Sequence, residues 1–571
     1  MKRINRLIHI VLVACVGWAF SSCEEFLDRP TIDNYNVDNF YQTDEQCFQA
    51  VNPIYNSPWY DFQRGFFKIG EVMSGNFYWG ASPYMTFTIN STDEDLVNMS
   101  ASLWAVNAYC NGTLENIDLK AGAEVSEQTK QTVKGEALVW KAMAYFYLVR
   151  IFGEVPIIHS NSADISAGNY NDKYKATIPN VYDYIIMTLE KAIEWLPEEN
   201  AAGRIDRYSA YGLLAKVYLT KSGYGLNGTR NTDDLQKAAD YALQVIDNSG
   251  RELLPVYSDI FRLANNNSSE SLLAWKWEAS RDPWTQNNSL QSDLALPKFS
   301  EFADTWGGYN GPSVDLQDDF AESALSLNRQ NTDKRRKATM MMYGDKYDYF
   351  WVDKGGFDWS DFCLNVLNEV QSPTGANCVK HLVGDNNDHV LGIGYGMQAQ
   401  ATSLSTHLLR LADVYLIYAE AVLGNSTSTS DPKALEVYNK VRARGYGREY
   451  TEFLGTSMAA NSLTFEMIWK ERRLELACEG DRWYDYVRLH YYKPQEAIAE
   501  LRGQRRSTYT GLYSFYESQT LDSDLTYYDK NPTIPNITDD SFTLPFPDTD
   551  LTMNKRLLEP AVDHDMSQFS Y

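Results

Sequence analysis

The sequence predicts a mainly α-helical protein. Tetratricopeptide-like helical hairpins form the scaffold, and a large irregular, loop-rich subdomain is inserted between them. Three observations carry this. Apolar residues recur at helical spacing in several segments: Val133, Ala137, Trp140, Ala144, Leu148 and Ile151 step by threes and fours, as do Leu408, Leu411, Tyr415, Tyr418 and Val422. Small residues (Ala142, Ala144, Gly212, Ala215, Ala238, Ala239, Ala242, Ala419 and Ala421) stand where paired helices would cross closely. Residues 251–400, rich in Gly, Asn, Asp and aromatics, carry no sustained stripe. A structureless loop of that length is implausible, so a packed subdomain of short helices and strands is expected.

The chain opens on a targeting segment. Lys2, Arg3 and Arg6 precede an apolar run from Leu7 to Phe20, too short to span a bilayer, which takes about 20 residues. Phe20-Ser21-Ser22-Cys23 then resembles a bacterial lipobox, although Phe20 stands where Leu is usual. Residues 1–22 are read as a lipoprotein signal peptide, with acyl chains on Cys23 as a durable membrane anchor. Glu24 and Glu25 resemble an acidic surface-export signal.

Helices are expected at 43–52, 100–118, 128–151, 180–196, 207–222, 232–248, 404–423, 432–443, 464–478 and 481–489. Thr177-Ile-Pro-Asn180 and Asp431-Pro432 read as starts, and Gly153, Gly223, Gly250 and Gly424 as stops. The organisation is then an N-terminal helical-hairpin region over 23–250, the irregular aromatic-rich subdomain over 251–400, a C-terminal helical-hairpin region over 401–490, and an irregular segment over 491–571. Phe542, Leu544, Phe546, Leu551, Leu557 and Leu558 suggest that this last segment packs back onto the body.

Composition narrows the function. The 571 residues carry 51 basic and 76 acidic side chains, a net charge of −25. Phosphate binding runs on clustered Lys and Arg, so no nucleic-acid partner is expected. Aromatic residues make up 13% of the chain, and the 39 Tyr exceed the 24 Phe, which favours rings with one apolar face and one wet end. No HExxH, GxSxG, GxxxxGK[ST] or GxGxxG occurs. The histidines lack ligand spacing, and no CxxC or Cys/His cluster suits zinc. Asp315, Asp318 and Asp319 offer oxygens for Ca²⁺, but a solvated helix start is the simpler reading. Neither a catalytic residue, a metal nor a cofactor is predicted. Cys363 and Cys378 could pair, but buried free thiols are the default.

Three stretches carry the most information: Thr406 to Ala421, Ala434 to Arg444, and Phe465 to Arg488 with its Glu471-Arg472-Arg473 core. In order and spacing they resemble the SusD/RagB family of outer-membrane nutrient-binding lipoproteins, with Cys478 where Phe is usual. The resemblance extends over the mature chain. Phe26-Leu27-Asp28, Leu138 to Gly153 with Val155-Pro156, Gly307 to Leu316, Asp333 to Arg336, and Leu544 to Pro547 with Asn554 match further signatures, while Lys555 to Pro560 departs from the family's continuation. Charges such as Arg410, Asp413, Glu420, Arg472 and Glu475 lie inside amphipathic helices, where Arg suits buried bidentate pairs, so they are assigned to the fold.

The resemblance implies a non-catalytic, lipid-anchored protein on the outer face of the outer membrane. It would capture oligosaccharides and deliver them to a TonB-dependent SusC-like transporter. Peptide capture by the same architecture, a glycan-degrading enzyme and a structural lid are the alternatives. Sugar binding needs rings for pyranose C–H faces and amides or carboxylates for hydroxyls, set on loops carried by a rigid body. Two loops qualify: Asn76, Tyr78, Trp79 and Tyr84, flanked by Gly75, Gly80 and Pro83, and Trp284, Trp306 and Tyr309 with Asn287, Asn288 and Asn310. Trp351 and Trp359 are weaker candidates. Trp104, Trp140, Trp195, Trp469 and Trp483 lie on helical stripes and are assigned to the core.

Overall fold

Helices stacked in antiparallel pairs make the body. A computed structural model describes residues 40–279, 284–300, 305–397, 401–520, 526–528 and 536–571. The signal segment, Cys23, Glu24 and Glu25 lie outside the described residues. The long helices are α1 (Asp44–Val51), α2 (Glu94–Lys120), α3 (Glu127–Phe152), α4 (Ile178–Trp195), α5 (Arg207–Lys221), α6 (Thr232–Asn248), α7 (Leu411–Leu423), α8 (Pro432–Gly445), α9 (Phe465–Leu476), α10 (Arg482–His490) and α11 (Pro494–Gly503). Neighbours in sequence pack as neighbours in space from α2 to α6. The α6 helix then packs on α7 across the long insertion, and α7 packs on α8 and α9.

Capping explains where several helices begin. The Asp93 side chain accepts from Leu96 N, so α2 starts at Glu94, six residues before the expected 100. Asp206 and Ser209 form a reciprocal cap on α5, and Asp431 precedes Pro432 at the start of α8. Gly153 ends α3 at φ +71°, a conformation that costs glycine little. The α11 helix was not expected from the sequence; its Pro494 sits in the first turn, and only Ala497, Ile498 and Leu501 are buried.

One expectation fails in part. The helix expected over 404–423 begins only at Leu411. Among the short strands are β1 (Phe77–Tyr78), β2 (Ser271–Trp275), β3 (Gly311–Pro312) and β4 (Thr406–Arg410). The β4 strand pairs antiparallel with β2, with Trp275 opposite Thr406 and Ser271 opposite Arg410. Every residue of β4 is buried. A continuously buried segment has no period to separate strand from helix, and β2 supplies the ladder that decides it. This pairing stitches the irregular stretch to the C-terminal hairpins.

Residues of the C-terminal tail contact the helical body. Phe542 stacks on Trp483 at 5.2 Å, Phe546 stacks on Phe152 at 5.2 Å, and Leu544 N donates to Ile151 O at 2.8 Å. Leu558, by contrast, is exposed. All five cysteines from Cys47 to Cys478 are buried free thiols, Cys363 and Cys378 included. No helix among the described residues is long and apolar enough to cross a membrane.

The charges of the helical stretches form a buried lattice. Arg410 contacts Glu270 at 2.9 Å, Glu475 at 3.1 Å and Glu479 at 2.7 Å. Arg444 bridges Glu270 and Glu475, and Arg335 bridges Asp333, Glu471 and Glu475. Nearby, Arg472 holds Asp413 at 2.6 Å, and Arg488 holds Glu420 and Asp485. These side chains join helices and strands distant in sequence, as the fold assignment requires.

Candidate functional site

The two aromatic loops, some 230 residues apart, meet through β1 and β3. Phe77 lies opposite Pro312 and Tyr78 opposite Gly311 in a short antiparallel ladder. Gly311 is required there, because a Cβ would stand 1.9 Å from Ala376 O. Beneath the ladder, Asn76 is fully buried. Its Nδ2 donates to Glu71 Oε2 at 3.0 Å, its Oδ1 accepts from Arg473 Nε at 2.8 Å, and its carbonyl accepts from Ser313 N at 2.8 Å. Asn76 therefore ties the two loops to α9 and has no free edge for a ligand. The polar residue expected to contact ligand is a clamp under the site.

The rings divide into three kinds. Trp306 is 49% exposed and Tyr309 is 57% exposed. Tyr78 and Trp79 are half-buried, with Trp79 resting against Phe67 and Phe77 at 6.1 Å each. Tyr84 is wholly buried and donates to Asp93 Oδ1 at 2.8 Å. The expectation that it faces outward is thus corrected: Pro83 starts a short helix, Pro83–Thr86, that turns the ring inward. Trp284 begins a 3-10 turn, but its side chain lies outside the described residues.

The weaker candidates are mostly core. Trp359 is buried with its indole N–H on Asn377 Oδ1 at 3.0 Å. Trp351 is half-buried and donates to Phe299 O at 2.9 Å. Asn287 and Asn288 are buried, and the Asn288 amide donates to Leu404 O at 2.7 Å. Asn310 is half-buried, its amide 3.5 Å from Asp293 O. Of the stripe tryptophans, Trp140, Trp469 and Trp483 are buried as assigned, while Trp104 and Trp195 are half-buried.

A chain of charges runs from Trp306 to Trp79. Trp306 Nε1 donates to Asp293 Oδ1 at 2.8 Å, and Asp293 Oδ2 lies 3.8 Å from Arg64 Nε. Arg64 Nε is also 3.8 Å from Asp95 Oδ1, and Asp95 Oδ2 binds the Lys68 ammonium. That ammonium stands 5.3 Å from the Trp79 ring centre. Burial raises the Asp293 carboxyl above its ordinary range, and Arg64 and the Trp306 bond only partly offset this. Sequence reasoning passed over Arg64, Lys68, Asp95 and Asp293. The one available signal was Arg64 and Lys68, four apart and so on one helix face beside the first loop.

The loop that presents Trp306 is fixed by close backbone approach. Trp306 N donates to Ser292 O and Gly307 N to Ala295 O, each at 2.9 Å. A Cβ on Gly307 would lie 2.4 Å from Asp293 O. Such an arrangement offers flat apolar faces bordered by a carboxylate and a guanidinium, the groups that pack on sugar C–H faces and bind sugar hydroxyls.

The other sequence candidates take structural places. Asp315 and Asp319 bind Arg473 at 2.8 and 2.6 Å, and Asp318 pairs with Arg505. Among the described residues no group of three or more His, Cys, Asp or Glu side chains is placed to hold a metal ion. Burial lowers His159 and His381 to about 4 and His407 to about 3, which leaves these rings neutral at pH 7.

Comparison with known proteins follows this geometry. A model of the SusD family matches residues 264–560, and one described as starch-binding associating with the outer membrane matches residues 25–219. A SusD-like protein of Bacteroides ovatus is 33% identical, with 98% of each chain covered. One solved structure at 31% identity superposes with a TM-score of 0.79, covering 92% of this chain and 99% of its own. Another, in complex with a xylogluco-oligosaccharide, is 30% identical with a TM-score of 0.76, covering 91% and 99%.

Proposed function

We propose that this chain, which belongs to the SusD family, captures oligosaccharides on the aromatic face formed by Tyr78, Trp79, Trp306 and Tyr309. The observation that carries the reading is the exposure of Trp306 and Tyr309 beside the paired loops, with Asp293 and Arg64 at their border. The relative bound to a xylogluco-oligosaccharide supports a saccharide as the ligand class. Stacking rings need no catalytic group, so the protein holds its ligand without cleaving it. Trp284 belongs to the same proposal through its loop.

The rest of the reading concerns place. The protein is anchored by acyl chains on Cys23, faces outward from the outer membrane, and passes its ligand to a TonB-dependent SusC-like transporter. Loss of membrane association in Cys23→Ala, and co-purification of the transporter with the lipidated protein, are the expected results.

Calorimetric titration of the soluble chain with a panel of neutral oligosaccharides tests the core claim. Selective binding that Trp306→Ala weakens is expected. Binding of a peptide pool with silence on every glycan overturns it and favours peptide capture. Release of reducing ends by the pure protein overturns the non-catalytic part.

A further inference from the structure

One half-buried cation without an acidic partner lies away from the aromatic face. Lys276 follows β2, and its backbone is locked by Lys276 N donating to Tyr55 O at 3.0 Å and by the Asn56 amide on Lys276 O at 2.9 Å. Its ammonium donates to Asn266 O at 2.6 Å and reaches Ser405 Oγ at 3.5 Å. Both partners are neutral. Burial alone lowers this ammonium to about 8, with no carboxylate contributing, and it remains charged at pH 7. A buried charge held only by neutral groups is costly, in contrast with every arginine of the lattice described above.

Lys276 lines a cleft of about 750 Å³ between the turn after α1, the turn before α5 and the segments flanking β2 and β4. A smaller cavity of about 280 Å³ adjoins it and shares Tyr55, Arg204, Ser268 and Lys276 in its walls. The two other charged groups in the larger cleft have partners of their own. Arg204 is bound to Glu136 at 2.6 Å, and the Glu278 carboxylate accepts from the Tyr395 hydroxyl within the cleft wall itself. Ser268 Oγ is buried in the shared wall without a hydrogen-bond partner. Asn267 also lines both cavities, and Trp277 closes one side with its indole N–H turned away onto Thr406 Oγ1. The cleft thus offers an uncompensated ammonium, an unsatisfied hydroxyl and an amide around a space far larger than a bare carboxylate fills. None of Tyr78, Trp79, Trp306 or Tyr309 lines it.

We propose that this cleft is a second ligand site, separate from the aromatic face, that takes a uronic acid residue with its carboxylate on the Lys276 ammonium and its ring hydroxyls on Ser268 and Asn267. The preference is for acidic over neutral sugars. It stands independently of the aromatic-face reading, since an acidic ligand would bind here even if that face took peptides.

The test is calorimetry on the full mature chain with galacturonate and glucuronate, and with their dimers. Glucose and galactose serve as neutral controls, and acetate as a carboxylate without a ring. Uronates are expected to bind in the millimolar range, and both controls at least about tenfold more weakly, the scale of one charge-assisted hydrogen bond. Lys276→Met abolishes the binding, and Ser268→Ala weakens it several-fold. Trp306→Ala, which damages the other face, leaves it intact. Equal affinity for neutral sugars or for acetate overturns the proposal, as does uronate binding that follows Trp306. Should Lys276→Met fail to fold by circular dichroism, the Ser268→Ala variant decides: unchanged uronate affinity overturns the proposal, and a several-fold loss supports it.

Discussion

The lattice around Arg410 and the face around Trp306 both set arginines and carboxylates beside rings, yet they are built on opposite principles. In the lattice, each arginine meets two or three carboxylates and all partners are sealed from water. At the face, Arg64 is half exposed, its two carboxylates stand 3.8 Å away, and Trp306 is held by one indole bond. Paired charges stripped of solvent specify how helices meet. Loosely bordered rings are left free to meet something else. Substitutions therefore separate stability from binding according to which region they touch.

The largest effect is expected inside the lattice. Arg410→Met removes the cation shared by Glu270, Glu475 and Glu479 and leaves these buried carboxylates to Arg444, Arg335 and Lys380 alone. Breaking a buried network by removing one partner costs about 3–5 kcal/mol. Urea unfolding should show that loss, while the folded fraction keeps its oligosaccharide affinity. A loss below about 1 kcal/mol would mean that water enters the lattice and that the two regions differ less than their burial implies.

Acid should separate the regions next. Burial pushes the Glu479 carboxyl up, but Arg410 and Lys380 outweigh it and hold it down to about 2, against an ordinary 4.5. Its folded-state value is depressed, so its stabilisation is full above pH 4.5 and is lost as pH falls toward 2. Glu420, Glu475 and Asp485 are lowered by their arginines in the same direction. Asp293 is shifted the other way by burial and gains its proton first. On acidification, oligosaccharide affinity should therefore change at a higher pH than the urea midpoint does. Coincident transitions would break the distinction.

A smaller effect, opposite in kind, is expected at the face. Trp306→Ala should cost about 2 kcal/mol of affinity, roughly 30-fold, on the scale of an interface anchor. It should cost less than about 1 kcal/mol of stability, because the ring is half exposed. Calorimetry and urea unfolding of the same sample measure both.

How far the sequence reached depends on what each feature is made of. The stripes of α3 to α6 and their caps are local, so periodicity and capping residues placed them within a few residues. The family resemblance carried most of the lattice, since Arg410, Asp413, Glu420, Arg472 and Glu475 sit in the signature stretches. β4 was missed because its partner β2 lies some 130 residues upstream and a fully buried strand has no period. The border of the aromatic face was missed because Arg64, Asp95 and Asp293 come from three separate segments and meet only in space. Ring composition singled out two loops that the fold brings together, but not which of their rings face outward. That is decided by single backbone turns, such as the one at Pro83.

The smallest effect tests that last point directly, with two tyrosines expected to act alike. Tyr84 is buried, and its hydroxyl donates to Asp93, the residue that also caps α2 through Leu96 N. Tyr84→Phe keeps the ring and removes one hydrogen bond to a carboxylate that retains its helix cap. About 1 kcal/mol of stability should be lost, and oligosaccharide affinity should not move. Tyr309 is exposed and sits one turn from Trp306. Tyr309→Ala should lower affinity several-fold and leave stability within about 0.5 kcal/mol, as for a surface change. If Tyr84→Phe lowered affinity as Tyr309→Ala does, the inward turn of the Pro83–Thr86 helix would have to open on binding. The boundary between scaffold and binding face would then lie one helix further in.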